Sequence, residues 1–339
     1  MGWTGRLLER VLDLVPRREA RFPSAAEAQL WFEWRRKGFL MSVFFAVPMA
    51  LAMVFLPLPL ALYLDPIQTL ISFFLPVICM LMIASAIGGS VAKSDAWSAE
   101  LGIHPIVATK PQSEGALVFA KMKCAAAITG LAWILLCLLG VPVILWCNQA
   151  NWPNEQARRF WPDFAANFPE LWNWVTNPVV IVAILVVTWH TMVQTMAISL
   201  TGRKRRVMIG MWQGIIVLAV VSAAALWCYK EPNRDRVLVF LRALPFVTIG
   251  LIGLKLLTAL KVFVMAWRLV SRREFLLLVG LWGAVTVLVL AAAFLVHATP
   301  GVPAVILWFF IALQFFPGGE IPACVVAVAR NRHRDAKHG

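Results

Sequence analysis

Charge is what this sequence has least of. Only 14% of its residues are Asp, Glu, Lys or Arg, against about a quarter in soluble domains. Set beside 61% hydrophobic residues, that deficit excludes an ordinary water-soluble domain. The motifs of common chemistries are also missing. No GxxxxGK[ST] loop is present to cradle a nucleotide phosphate, and neither HExxH nor GxSxG occurs. No CxxC pair among the six cysteines marks a zinc or thiol-redox site. No two carboxylates stand at helical spacing inside an apolar stretch, and the five histidines are scattered. No catalytic residue and no metal ligand is therefore expected, and the chain reads as a non-enzyme.

What is present is a succession of apolar stretches, each long enough to cross a bilayer as a helix of about 20 residues. They fall near residues 39–62, 70–91, 124–146, 179–200, 207–228, 237–267, 275–296 and 304–328. Residues 181–187 and 276–279 are apolar without a break, which excludes the alternating strands of a membrane β-barrel. The expected fold class is all-α, a polytopic helical integral membrane protein with about eight spans, or about six if one pair is miscounted. Residues 1–38 form a polar, basic lead-in, residues 39–329 the transmembrane domain and residues 330–339 a basic tail. No cleavable signal peptide is expected, because the first apolar run lacks a small-residue cleavage site.

The formal net charge of +14 would suggest nucleic acid in a soluble protein. Here the basic residues lie almost entirely between spans, so they report topology and not nucleic-acid binding. With the N-terminus inside, segments on that side carry 23 of the 31 Lys and Arg, and those on the other side carry 5. The positive-inside rule then puts both termini in the cytoplasm. The expected location is the cytoplasmic (inner) membrane, crossed many times within the lipid bilayer.

Several segments stand out. Residues 25–37 read as an amphipathic helix in the headgroup layer, with Leu30, Trp31 and Trp34 on its apolar side and Arg35, Arg36 and Lys37 closing it. The outer loop 147–178 is rich in Trp and Phe and reads as an interfacial belt. Arg203 to Arg206 read as an inner anchor. Arg242, Lys255 and Lys261 place part of the sixth segment at an interface. Pro317-Gly318-Gly319-Glu320 admits two readings: a helix break lining a substrate path, or a shorter final segment with Glu320 at its boundary. Most cysteines read as small apolar residues, but Cys147 and Cys228 fall at the outer ends of spans. They would form a disulfide if those ends meet, and remain free thiols if not.

The inner loop 93–123 is the most informative. Pro111 breaks the chain, Ser113 can cap a new helix, and Glu114 complements the positive helix start. Leu117, Val118 and Phe119 then offer an apolar patch before Lys121 and Lys123. The result is either a lever on the inner face or a plain entry into the next span. Thr109, Lys110, Pro111 and Ser113, followed by Leu117 and Lys121, resemble the T-[RK]-P-x-S…L…K pattern of the ABC type-2 permeases, the membrane subunits of ABC transporters. Glu33, Trp34, Arg35 and Arg36 look similar to that family's connecting helix.

The resemblance covers residues 25–145 most clearly and implies that residues 109–121 couple the chain to an ATPase subunit. Two permease chains, alike or different, would form one export pathway. ATP and Mg would be bound by the partner ATPase, with no cofactor on this chain. A secondary transporter, for which Glu320, Arg242, Lys255 and Lys261 are the candidate ionisable groups, and a non-catalytic membrane scaffold are the alternatives.

Overall fold

A computed structural model describes residues 22–55, 66–93, 113–148, 178–202, 234–297 and 317–335. Among these residues every regular element is a helix. In chain order they are α1 (Ala25–Glu33), a π-helical turn (Trp34–Gly38), α2 (Phe39–Phe55), α3 (Pro66–Ala92), α4 (Glu114–Asn148), α5 (Pro178–Ser199), α6 (Arg234–Trp267), α7 (Arg272–His297) and α8 (Glu320–Asp335). The chain divides into two compact units. The first holds α1 to α4 and the second α5 to α8.

Among the described residues four helices are long and apolar enough to cross a membrane: 114–140 of α4, 181–199 of α5, 244–267 of α6 and 272–294 of α7. Their outer faces are apolar as well. Phe246 is 78% exposed, Leu257 67% and Leu138 65%. Large apolar side chains standing outward along whole helices suit hydrocarbon as the solvent, not water. The protein is therefore a helical membrane protein.

The helix starts obey local rules. Ser24, extended at φ −148°, caps α1 by accepting from the Glu27 amide at 3.2 Å. Ser113 caps α4, its Oγ accepting from the Ala116 amide at 3.1 Å. Ser271 and Glu274 form a capping box at α7: Ser271 Oγ accepts from the Glu274 amide at 3.3 Å, and Glu274 Oε2 accepts from the Ser271 amide at 3.0 Å. After α5 the chain turns at Gly202, whose φ of 65° suits a residue without Cβ.

In the first unit α2 and α1 both pack on α4. Ala46 and Ala50 on α2, and Ala125 and Ala132 on α4, are buried, and such small residues let helix backbones approach in a bilayer. Ser42 adds a polar link, its Oγ lying 2.8 Å from the Gly38 carbonyl and 3.2 Å from the Ile128 carbonyl on α4. In the second unit α8 packs against α5, α6 and α7. From Ile321 to Ala329 it is buried on nearly every side, so it is a core helix. Thr188, Thr191 and Thr195 on α5 return their hydroxyls to carbonyls four residues back, which satisfies them without water.

The structure adds detail to two expectations and changes a third. The stripe that packs inward is Gln29 and Glu33 of α1 with Lys37 of the π-helical turn; Leu30, Trp31 and Trp34 are half-buried, and Phe32 faces outward beneath the Arg36 guanidinium at 5.7 Å. Leu117 and Val118 are no exposed patch: they are 2% and 0% exposed, because α4 is one uninterrupted helix of 35 residues already packed at its start. Residues 330–335 of the basic tail are helical, since α8 continues to Asp335. The Trp-rich loop beyond Asn148, the fifth expected span and Arg203 to Arg206 lie outside the described residues.

Candidate functional site

Two buried polar clusters stand out, one in each unit. In the first, the geometry begins with spacing. Gln29, Glu33 and Lys37 recur every four residues, and the π-turn after Glu33 keeps Lys37 near the same line. Gly38 is required there, because a Cβ would overlap the Trp34 ring. Glu33 Oε2 accepts from Lys37 Nζ at 2.8 Å. Glu33 Oε1 accepts from Lys121 Nζ on α4 at 2.8 Å and from Gln29 Nε2 at 3.1 Å. Both ammonium groups also donate to the Val91 carbonyl, Lys121 at 2.9 Å and Lys37 at 3.3 Å.

Val91 lies in the last turn of α3, whose final carbonyls have no partner within the helix. The negative end of α3, equivalent to about half a charge, thus offsets part of the second ammonium. Burial alone raises the Glu33 carboxyl, but Lys121 and Lys37 outweigh it and hold the group below its ordinary value. Burial and the neighbouring Lys121 pull Lys37 down to about 8, against the opposing pull of Glu33. The cluster fastens three helices, α1, α3 and α4, at one point.

Of the residues that sequence pattern marks for coupling, Ser113 caps α4, Glu114 begins it, and Lys121 is inside the cluster. Thr109, Lys110 and Pro111 lie outside the described residues. Of the interfacial set, Glu33 is the centre of the cluster, Trp34 covers Gly38, and Arg36 is exposed. Cys228, and the side chain of its expected disulfide partner Cys147 in α4, likewise lie outside the described residues.

The second cluster is built around the start of α8. The Trp282 indole on α7 donates to the Gly318 carbonyl at 2.8 Å and approaches the Pro317 carbonyl at 3.2 Å. Gly319 lies so close to α6 that a Cβ would meet Val262 at 3.1 Å and the Ala259 Cα at 3.3 Å. Pinned from two sides, the turn begins α8 at Glu320 and sends its carboxylate toward α5. Glu320 Oε1 accepts from Gln194 Nε2 at 3.3 Å, and Oε2 lies 3.9 Å from His190 Nε2. Lys255 on α6 interacts with the carboxylate through its charge.

The boundary reading of Glu320 thus fits the helix start, but that start is beside the middle of α5, where His190 lies. Pattern alone reads His190 as a packing residue and does not mark Gln29 or Gln194. His190 and Gln194 stand four apart within an apolar span, a spacing that puts two polar side chains on one face. Among the described residues no group of three His, Cys, Asp or Glu side chains is placed to hold a metal ion. Compared with models of known families, with curated proteins and with solved structures, the chain matches none.

Proposed function

We propose that the chain is the membrane-spanning permease subunit of an ABC-type exporter, driven by a separate ATPase. The reading includes about eight spans, both termini in the cytoplasm, a second permease chain alike or different, and the cytoplasmic (inner) membrane. It takes its family from the T-K-P-x-S segment and the Glu33 to Arg36 segment. The observation that carries it is the Glu33–Lys121 ion pair. That pair ties together the two segments that the resemblance assigns, separately, to the ATPase-facing side. Motion delivered to the loop before Ser113 would enter a capped helix roughly 50 Å long and move α1 with it. A helix that is both lever and span needs such a fastening.

A second reading, a secondary transporter, is favoured by Glu320, His190 and Lys255. Ionisable groups gathered inside a bundle, at the start of a helix that begins beside the middle of another, are typical of such transporters. One experiment separates the two. The full-length tagged chain is purified from its native membrane and reconstituted. Co-purification of a subunit with a phosphate-binding loop, whose ATP hydrolysis this chain stimulates, is the expected result. A chain that purifies alone and drives solute flux from an ion gradient without ATP would overturn the ATPase reading in favour of the second.

A further inference from the structure

We propose that Glu320 and His190 form a proton-binding pair inside the second unit, drawing together when a proton is taken up. Four observations carry this. His190 is 1% exposed, and its Nε2 has no hydrogen-bond partner. Glu320 Oε2 is also buried without one. The two atoms face each other across 3.9 Å, too far for a hydrogen bond and too close to admit a carbon-bearing group between them. The carboxylate lies against Gly318, where a Cβ would stand 3.0 Å from Oε1 and 3.1 Å from Oε2, so the absence of a side chain at Gly318 leaves it room.

Neither tautomer of a neutral imidazole satisfies this arrangement. With the hydrogen on Nδ1, two acceptors confront one another. With it on Nε2, the donor lies beyond bonding distance. A proton resolves the conflict. A hydronium ion gives its proton to the imidazole, so that both ring nitrogens carry hydrogen, an N–H bond forms, an O–H bond breaks, and a water is released. Nε2–H then donates to Oε2 as the gap shortens to about 2.7–2.9 Å.

The surrounding groups permit this charge change. The carboxylate also faces Lys255 on α6 and the Gln194 amide on α5. From α7 the neighbour is Trp282, which does not titrate, and from α8 it is Cys324, whose Sγ turns to the Val193 carbonyl at 3.9 Å. Lys255 offsets the carboxylate, and the added proton gives the group a net positive charge. Closure would draw the start of α8 toward α5, so proton occupancy and the position of α8 are linked. This inference does not depend on the ATPase, so loss of either proposal leaves the other standing.

The test uses the full-length chain, labelled with 15N-histidine, in lipid nanodiscs and followed by NMR from about pH 3 to about pH 8, a window that extends well below the ordinary imidazole range because a buried imidazole resists protonation. The His190 signal is identified by its loss in His190→Gln. The expected result is a single protonation midpoint for His190 that falls at least about tenfold in proton affinity in Glu320→Gln. It should stay unchanged in Lys261→Gln, an exposed position on α6. Glu320→Asp, which keeps the charge but withdraws it, should give a smaller shift and serves if the Gln variant does not fold. A His190 midpoint indifferent to both Glu320 variants overturns the proposal. So does a midpoint that follows sodium or potassium when choline replaces them, which would make the pair a metal-cation site.

Discussion

Replacing Glu33 with Gln tests the first cluster most directly. The amide keeps the shape of the side chain and removes its charge. In the native chain one carboxylate serves Lys37, Lys121 and Gln29, all buried. The variant leaves two ammonium groups with only the Val91 carbonyl and the end of α3 to face. Each amide orientation also turns an N–H donor toward one of those ammonium groups. Breaking a buried pair by removing one partner costs about 3–5 kcal/mol. The shared acceptor and the near-complete burial place this site within that range.

The assay is thermal or denaturant unfolding of the full chain in lipid nanodiscs, with Glu33→Gln beside the triple variant Glu33→Leu, Lys37→Met, Lys121→Met. The single change should be destabilising by about 3–5 kcal/mol. The triple change should recover most of that loss, because an apolar replacement of a buried ionic group is often neutral or stabilising. A loss below about 0.5 kcal/mol in Glu33→Gln would refute the reasoning, since it would mean that water reaches the ammonium groups.

Other outcomes follow from the same geometry. Lys37 has its value lowered from 10.5 to about 8, so between those two pH values the unfolded chain binds more protons and stability should rise with pH. Glu33 is held below 4.5, so its contribution is present above that value and lost as the pH falls through its folded value, both slopes being read from unfolding midpoints against pH. Ser113→Ala should cost about 1 kcal/mol and speed hydrogen exchange in the first turn of α4 alone. Gly319→Val should destabilise the second unit by about 1–3 kcal/mol in the same unfolding assay, since its side chain must displace Val262 or the α6 backbone. Cysteine labelling in intact cells should reach residues 151–170 and spare residues 203–206; the reverse pattern would invert the topology.

How legible these features are depends on the range of the forces that make them. Ser113 and Ser24 are readable as caps because a cap is satisfied within three residues. The four long apolar helices are readable because length and hydropathy alone decide them. The face of α1 is not readable by the rule for a surface helix, which puts the apolar stripe against the protein and the polar stripe in solvent. Gln29, Glu33 and Lys37 do the opposite. Phe32 stands outward beneath Arg36, and the polar stripe finds its partners inside, on α3 and α4.

The same inversion explains Lys255 and His190. Read singly, a lysine in an apolar segment suggests an interface and a histidine suggests packing. Their joint meaning depends on Glu320, more than a hundred residues from Gln194 along the chain, being brought beside them by a turn that Trp282 and Ala259 hold. No local pattern encodes that meeting. It is set by the start of α8, where Pro317, Gly318 and Gly319 lower the cost of bringing a helix end against α6 and α7. The carboxylate at that end then has one amide partner, one cationic neighbour and one open oxygen. A purely structural role would favour filling that last position. Leaving it open toward the unpartnered Nε2 of His190 suits a site that binds and releases a proton.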